Sequence, residues 1–293
     1  MAQRKPVSTQ LGLGMEPSCA PFLKWVGGKR QLVPQIRALM PRTYERYLEP
    51  FVGGGALFFD VAPDARRHGP AYLGDVNQEL LTAYYGVQQT VEDVIKILGE
   101  HKAAHGKEYY YQTRAADWSV CGWDTTAARM IYLNKTCFNG LYRVNKKGKF
   151  NVTMGRYDDP AILDADGLRA CAHVLERAQA EFHHGDFKSI YRVAEKGDFV
   201  YFDPPYVEVS GTANFKGYAP GGFDEEQQRK LAALFTELTD DGVYCMASNS
   251  DTPLVRELYA DHPIREVSRA GSVSSKPGKR QRVGELLIRG WAW

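Results

Sequence analysis

The sequence predicts an α/β protein, a parallel sheet with helices on both faces, interrupted by one inserted helical and β-hairpin domain. Three observations carry that prediction. Short apolar runs stop at turn residues, helical periodicities lie between them, and one basic, aromatic stretch breaks the alternation. Strands alternating with helices give a doubly wound sheet whose ligands gather at the C-terminal ends of the strands.

Residues 1–18 are polar and mixed, without the apolar core of a signal peptide, and are expected to form a disordered leader. Four runs then read as strands: 44–51 (YERYLEPF), 71–73, 198–202 (DFVYF) and 243–247 (VYCMA). They end at Gly53-Gly54-Gly55, Gly74-Asp75, Asp203-Pro204-Pro205 and Ser248-Asn249-Ser250, as buried strands of a parallel sheet tend to do. Val91, Val94, Ile95 and Leu98 share one helical face. Leu163, Leu168, Cys171, Ala172 and Leu175 share a second, and Leu231, Leu234, Phe235 and Leu238 a third. From 77 to 164 the pattern turns helical, then aromatic and basic. Residues 142–144 and 150–152 flank Asn145-Lys146-Lys147-Gly148-Lys149, a hairpin signal. The expected organisation is a core domain of 19–76 and 165–293 with an insert at 77–164.

Composition narrows the class. With 44% hydrophobic and 25% charged residues and no apolar run near 18 residues, the chain reads as globular and does not cross a membrane. Five scattered cysteines never fall in CxxC spacing. That argues against a structural metal or a disulfide framework and for a reducing, cytoplasmic home. Net charge is only +2, but residues 134–156 hold six basic side chains and no acidic one. A second cluster holds Lys276, Lys279, Arg280 and Arg282. Such patches suit a polyanion or a solvated loop face equally.

Four local motifs carry chemistry. Glu49-Pro50-Phe51-Val52-Gly53-Gly54-Gly55 permits a tight turn and close approach of backbone to a ligand, before a helix near Ala56. Asp75, about 20 positions on, can accept ribose hydroxyls, although the full GxGxxG pattern is missing. In Phe22-Leu23-Lys24-Trp25-Val26-Gly27-Gly28-Lys29, Leu23 and Arg30 break a phosphate-loop pattern. Trp25 can pack on an adenine or lie in the core, and Lys29 can meet a carboxylate. Asp203-Pro204-Pro205-Tyr206 removes two backbone donors after a strand. An aspartate and a proline carbonyl then present paired acceptors suited to a planar amino group, with the Tyr206 face for stacking; a rigid turn is the bland alternative. Asp186, in Gly185-Asp186-Phe187, either accepts an adenine amino group or closes a surface turn.

Taken in order, FLKWVGGK, EPFVGGGALFF, GDVN, NKTCFNGLYRVNKKGKFNVTMGRY, GDF, YFDPPY, TANFKGY, SNSDT and SSKPGKRQRVGELLI resemble the Dam-type (D12 class) DNA N6-adenine methyltransferases over roughly 21–288. The resemblance implies a Rossmann-like methyltransferase sheet and S-adenosyl-L-methionine as cofactor. It places Trp25, Lys29, Asp75 and Asp203 against that cofactor, with Phe51, Gly53, Gly55, Asp186 and Phe187 completing the pocket. Asp203, Pro204, Pro205 and Tyr206 would hold a flipped adenine. Phe138 matches an aromatic that enters the base stack, Asn139 a phosphate contact, and Leu141 and Arg143 base readers. Lys135, Asn145, Thr153 and Arg156 complete the expected contacts with double-stranded DNA. One departure stands out: Phe150-Asn151-Val152-Thr153 ends in threonine where GATC-methylating members have proline. The expected target is therefore GATC or another short site containing adenine. A loop at 210–218, with Gly211 and Gly217 as hinges, is expected to close over the base.

Rival readings are methylation of RNA or of protein glutamine, and a DNA-binding regulator without catalysis. The basic aromatic insert favours DNA, and intact Lys29, Asp75, Asp203 and Tyr206 favour catalysis.

Overall fold

The computed structural model describes residues 19–25, 29–63, 68–206, 223–267 and 284–292. Chain order begins α1 (Val33–Leu39), β1 (Tyr47–Glu49), α2 (Ala56–Val61), β2 (Tyr72–Asp75), α3 (Gln78–Gln89) and α4 (Val91–Ala103). It continues α5 (Lys107–Ala115), α6 (Trp123–Thr136), α7 (Ala165–Arg177), β3 (Glu181–His184) and β4 (Phe199–Phe202). It ends α8 (Glu225–Asp240), β5 (Tyr244–Ser250), α9 (Pro253–Leu258), β6 (Ile264–Val267) and β7 (Glu285–Arg289). The strands form one sheet in the order β3-β2-β1-β4-β5-β7-β6. β3, β2, β1, β4 and β5 are parallel, while β7 runs antiparallel between β5 and β6.

Alternation along the strands divides the core in two. Tyr47, Phe199, Tyr201 and Met246 pack with apolar side chains of α1, α2, α3 and α7. Their neighbours Leu48, Val200, Phe202 and Cys245 pack with Leu231, Phe235 and Leu238 of α8 and Val255 of α9. Helices therefore cover both faces, as the sequence predicts. Helix starts are capped by side chains: Asn77 accepts Leu80 N–H, Asp164 accepts Gly167 N–H, and Asp224 accepts Gln227 N–H.

Several boundaries differ from the sequence expectation. β1 spans only Tyr47–Glu49 of 44–51, and β2 continues through Gly74 and Asp75 because both pair with β3. β5 does not stop before Ser248-Asn249-Ser250. All three are buried and pair with Leu287, Leu286 and Glu285 of β7, so ladder bonds override turn-prone residues. β3 is a strand where the sequence suggests only a turn after a helix. The hairpin expected at 142–152 holds a single isolated bridge, Val144 opposite Phe150.

α3 packs against α6, and also against α7, β2 and β3. It thereby joins α6 to the sheet. Between α3 and α6, Glu79 and Arg129 form a buried ion pair, with Arg129 also donating to the carbonyls of Thr113 and Arg114 at 3.0 Å each. The leader, Gly27 and Gly28, the loop at 210–218 and the basic cluster at 276–282 lie outside the described residues.

Candidate active site

The strand order reverses between β1 and β4, and a crevice for ligands opens at such a switch point beyond the C-terminal strand ends. The glycine turn leaves β1 there and Asp203-Pro204-Pro205-Tyr206 leaves β4. Two motifs 150 residues apart are thus neighbours because β1 and β4 pair directly.

Gly53 and Gly55 have φ of 46° and 66°, the left-handed region that favours glycine. A Cβ on Gly53 would lie 2.7 Å from the Trp25 indole, so Trp25 closes directly over the turn. Gly53 N–H donates to Asp75 Oδ2 at 3.1 Å, and Asn77 N–H to Oδ1 at 2.9 Å. Tyr84 Oη donates to the Gly53 carbonyl at 3.1 Å. Burial pushes the Asp75 carboxyl up to about 6, against the pull of the backbone donors of Asn77 and Gly53. Glu49 lies between the two acidic strand ends. Burial, with Asp203 and Asp75 adding like charge, holds it well above the usual carboxylate range, and Tyr47 Oη donates to it at 2.9 Å.

Asp203 is fixed from two sides. Lys29 Nζ sits 2.7 Å from Asp203 Oδ1, with the Lys29 side chain 3% exposed. Ser248 Oγ donates to the same oxygen at 2.8 Å, and Tyr201 Oη donates to Ser248 Oγ at 3.0 Å. Lys29 also meets Glu285 Oε1 at 3.3 Å and lies 4.1 Å from the centre of the Tyr206 ring. The proline turn is held in its turn. Gln228 Nε2 donates to the Pro205 carbonyl at 3.1 Å, and Asn249 Nδ2 donates to Gln228 Oε1 at 2.9 Å. The Tyr206 hydroxyl is buried with no hydrogen-bond partner among the described residues. The result is a rigid carboxylate beside a proline turn and an aromatic face, a set that can hold a planar amino group.

Phe51 and Phe187 come together, stacked with centroids 5.4 Å apart, and Phe223 closes edge-on against Phe51. Asp186 is exposed, and its Oδ1 accepts Lys188 N–H at 2.9 Å, capping the 3-10 turn Phe187–Arg192.

Residues 138–156 present a rim. Phe138 is 51% exposed, Asn139 beside it is left-handed at φ 56°, and Phe138 N–H donates to the Thr153 carbonyl at 2.9 Å. Arg143 Nε donates to Asn151 Oδ1 at 2.7 Å, which fixes an exposed guanidinium. Asn145 Oδ1 is committed to the hairpin turn, accepting Lys147 and Lys149 N–H at 2.9 and 3.1 Å. Leu141 is half-buried, Thr153 and Arg156 are exposed, and burial beside Lys24 and Arg30 lowers Lys135.

The model of the D12 class N6 adenine-specific DNA methyltransferases matches residues 25–272. The chain belongs to this family. It is similar to the type II methyltransferase M1.LlaDCHI of Lactococcus lactis subsp. cremoris, 40% identical over 92% of this chain and 94% of the relative. It is 35% identical to the type II methyltransferase M.MjaIII of Methanocaldococcus jannaschii, over 92% and 98% of the two chains. It is also 35% identical to the DNA adenine methylase of Escherichia coli K12, over 91% and 93%. A DNA adenine methyltransferase of this class therefore brings together Trp25, Gly53 and Asp75, and separately Lys29, Asp203 and Tyr206. Sequence reasoning missed Tyr201, Gln228, Ser248 and Glu285. Ser248, Tyr201 and Glu285 lie inside blocks of the family resemblance that give them no role of their own, and Gln228 carries no local signal. Among the described residues, no group of three or more His, Cys, Asp or Glu side chains could hold a metal, and no helix is long and apolar enough to cross a membrane.

Proposed function

We propose that this DNA adenine methyltransferase takes its methyl group from S-adenosyl-L-methionine and places it on N6 of an adenine flipped out of double-stranded DNA. The observation that carries the reading is Asp203, held by Lys29 and Ser248 at the sheet's switch point beside Pro204 and Tyr206.

The residues at β1 and β2 fit an adenosyl group. The glycine turn leaves no room for a Cβ under Trp25, and Asp75 stands at the end of the next strand. Trp25, Phe51, Gly53, Gly55, Asp75, Asp186 and Phe187 line that side, and Lys29 orients Asp203. The bound cofactor supplies a methyl group already activated on sulfonium, so alignment is the main task of the protein. Asp203 Oδ and the Pro204 carbonyl accept the two N6 hydrogens and direct the nitrogen lone pair at the incoming methyl. Tyr206 stacks on the extruded ring, and Phe138 fills the gap in the duplex, together offsetting a flipping cost of a few kcal/mol. Residues 77–164 act as the target-recognition insert on a catalytic domain of 19–76 and 165–293. Lys135, Asn139, Asn145 and Arg156 meet phosphates; Leu141, Arg143 and Thr153 face bases. Thr153 adds a hydroxyl where a GATC reader has proline, so the target is GATC or another short adenine-containing site. Single-molecule sequencing of DNA modified by the protein tests this. N6-methyladenine at one short motif is expected, and methylation without a motif defeats the readout.

Two outcomes follow from this arrangement. Arg143→Ala should relax preference at one base pair by about 1–3 kcal/mol, because its anchored guanidinium suits guanine O6 and N7. A uniform loss across all sequences, measured by competition binding, would reassign Arg143 to a phosphate. The second outcome is a pH dependence. Asp75 ordinarily ionises near 3.8 and is raised to about 6, so it gains a proton as pH falls through that value. Its ribose-accepting form is lost on the acid side, and cofactor affinity should fall about tenfold per pH unit there. Calorimetric titration with S-adenosylhomocysteine checks it: the slope should vanish in Asp75→Asn, and a flat wild-type profile contradicts the assignment.

A further inference from the structure

Two loops with different duties meet at one buried amide. Lys24-Trp25 brings the indole over the glycine turn, while Phe138–Gly140 carries the exposed aromatic rim. Between them stands Asn134, near the end of α6 and 4% exposed. Its Oδ1 accepts Lys24 N–H at 2.8 Å, and its Nδ2 donates to the Lys24 carbonyl at 2.7 Å. The same Nδ2 donates to the Gly140 carbonyl at 3.2 Å. One side-chain amide thus pairs with Lys24 as a neighbouring strand would, and its second hydrogen holds a turn in which Asn139 and Gly140 are both left-handed, at φ 56° and 63°.

There is little slack in this joint. A Cβ on Gly140 would lie 2.9 Å from Lys24 Cβ. Two residues on, Tyr142 stacks on Trp25 with centroids 5.4 Å apart and planes at 27°. Among the described residues every bond of the Asn134 side-chain amide goes to backbone, so the tie holds the course of both loops whatever the Lys24 side chain does. A ligand that fixes Trp25 fixes Lys24, and through Asn134 also fixes Gly140 and the ring of Phe138 just before it.

We infer that Asn134 is a positioning residue that couples the cofactor floor to the base-displacing rim, so that cofactor and DNA each tighten binding of the other through this amide. The inference rests on the proposed function. Linkage makes such coupling reciprocal, so it can be read from either ligand.

The test uses the full chain, S-adenosylhomocysteine, and duplex DNA carrying the methylated motif. Wild type should bind S-adenosylhomocysteine about fivefold or more tightly when DNA is present. Asn134→Asp replaces both amide donors by an acceptor. It should bind S-adenosylhomocysteine alone within about twofold of wild type, yet lose the tightening by DNA. The fluorescence rise of 2-aminopurine at the target adenine should fall with it. Should Asn134→Asp not melt cooperatively, Asn134→Ser removes the two-point pairing without burying a charge, and the same measurements apply. Coupling that persists in the variant, coupling absent from wild type, or an equal loss of cofactor affinity with and without DNA overturns the inference. Wild-type methylation measured in the same samples separates the two readings. Its absence overturns the proposed function as well, whereas methylation with persistent coupling overturns this inference alone.

Discussion

Asp203→Ala is expected to slow methyl transfer by at least about 10³-fold while leaving affinity for DNA within about threefold of wild type. The split follows from where Asp203 sits. Its carboxylate faces the crevice between β1 and β4, whereas exposed Phe138, Arg143 and Arg156 lie on the segment 138–156. Truncation removes the acceptor for the amino group and releases Ser248, whose hydroxyl is left with Tyr201. Lys29 keeps Glu285 at 3.3 Å, so no buried ammonium is stranded and the fold should tolerate the change. Single-turnover transfer of labelled methyl and fluorescence anisotropy on duplex DNA measure the two quantities. Substantial residual transfer would remove Asp203 from the reaction.

Glu79→Ala should destabilise the protein by about 3–5 kcal/mol, because it leaves the Arg129 guanidinium buried without its carboxylate. Both side chains of the pair are nearly inaccessible, 3% and 5% exposed. Burial raises Glu79, and Arg129 with Tyr142 pulls it back. Tyr142 Oη donates to Glu79 Oε2 at 2.9 Å, and the Tyr142 ring stacks on Trp25. The loss should therefore reach the cofactor floor as well as α3 and α6. Denaturant unfolding reads the first effect and cofactor affinity the second. A change below about 1 kcal/mol would mean that the pair contributes no more than an exposed one. Glu79→Gln, which keeps an acceptor for Arg129 and Tyr142, should lie between.

What the sequence reveals is what lies close together along it. Gly53, Gly55 and Asp75 are legible because a turn and the next strand's end follow one another in order, and Asp203-Pro204-Pro205-Tyr206 is legible because four adjacent residues carry its chemistry. Ser248, Tyr201, Gln228 and Glu285 are not. Ser248, Gln228 and Glu285 reach Asp203 or the proline turn only through sheet pairing and helix packing that no local pattern announces, and Tyr201, two residues before Asp203, acts on it through Ser248. The same reason explains the strand boundaries. Ser248-Asn249-Ser250 reads as a turn until β7 supplies ladder partners, and β7 itself enters between β5 and β6 out of chain order. Asn134 is hidden for a related reason: its partner Lys24 is 110 residues away.

The most direct test is to incubate duplex DNA with the protein and S-adenosylmethionine labelled in its methyl group, digest the DNA, and identify the labelled nucleoside by mass spectrometry. Label in N6-methyldeoxyadenosine, and its loss with Asp203→Ala, is the predicted result. Label in N4-methylcytosine, in RNA or in protein offered alongside, with none on adenine, would contradict the account.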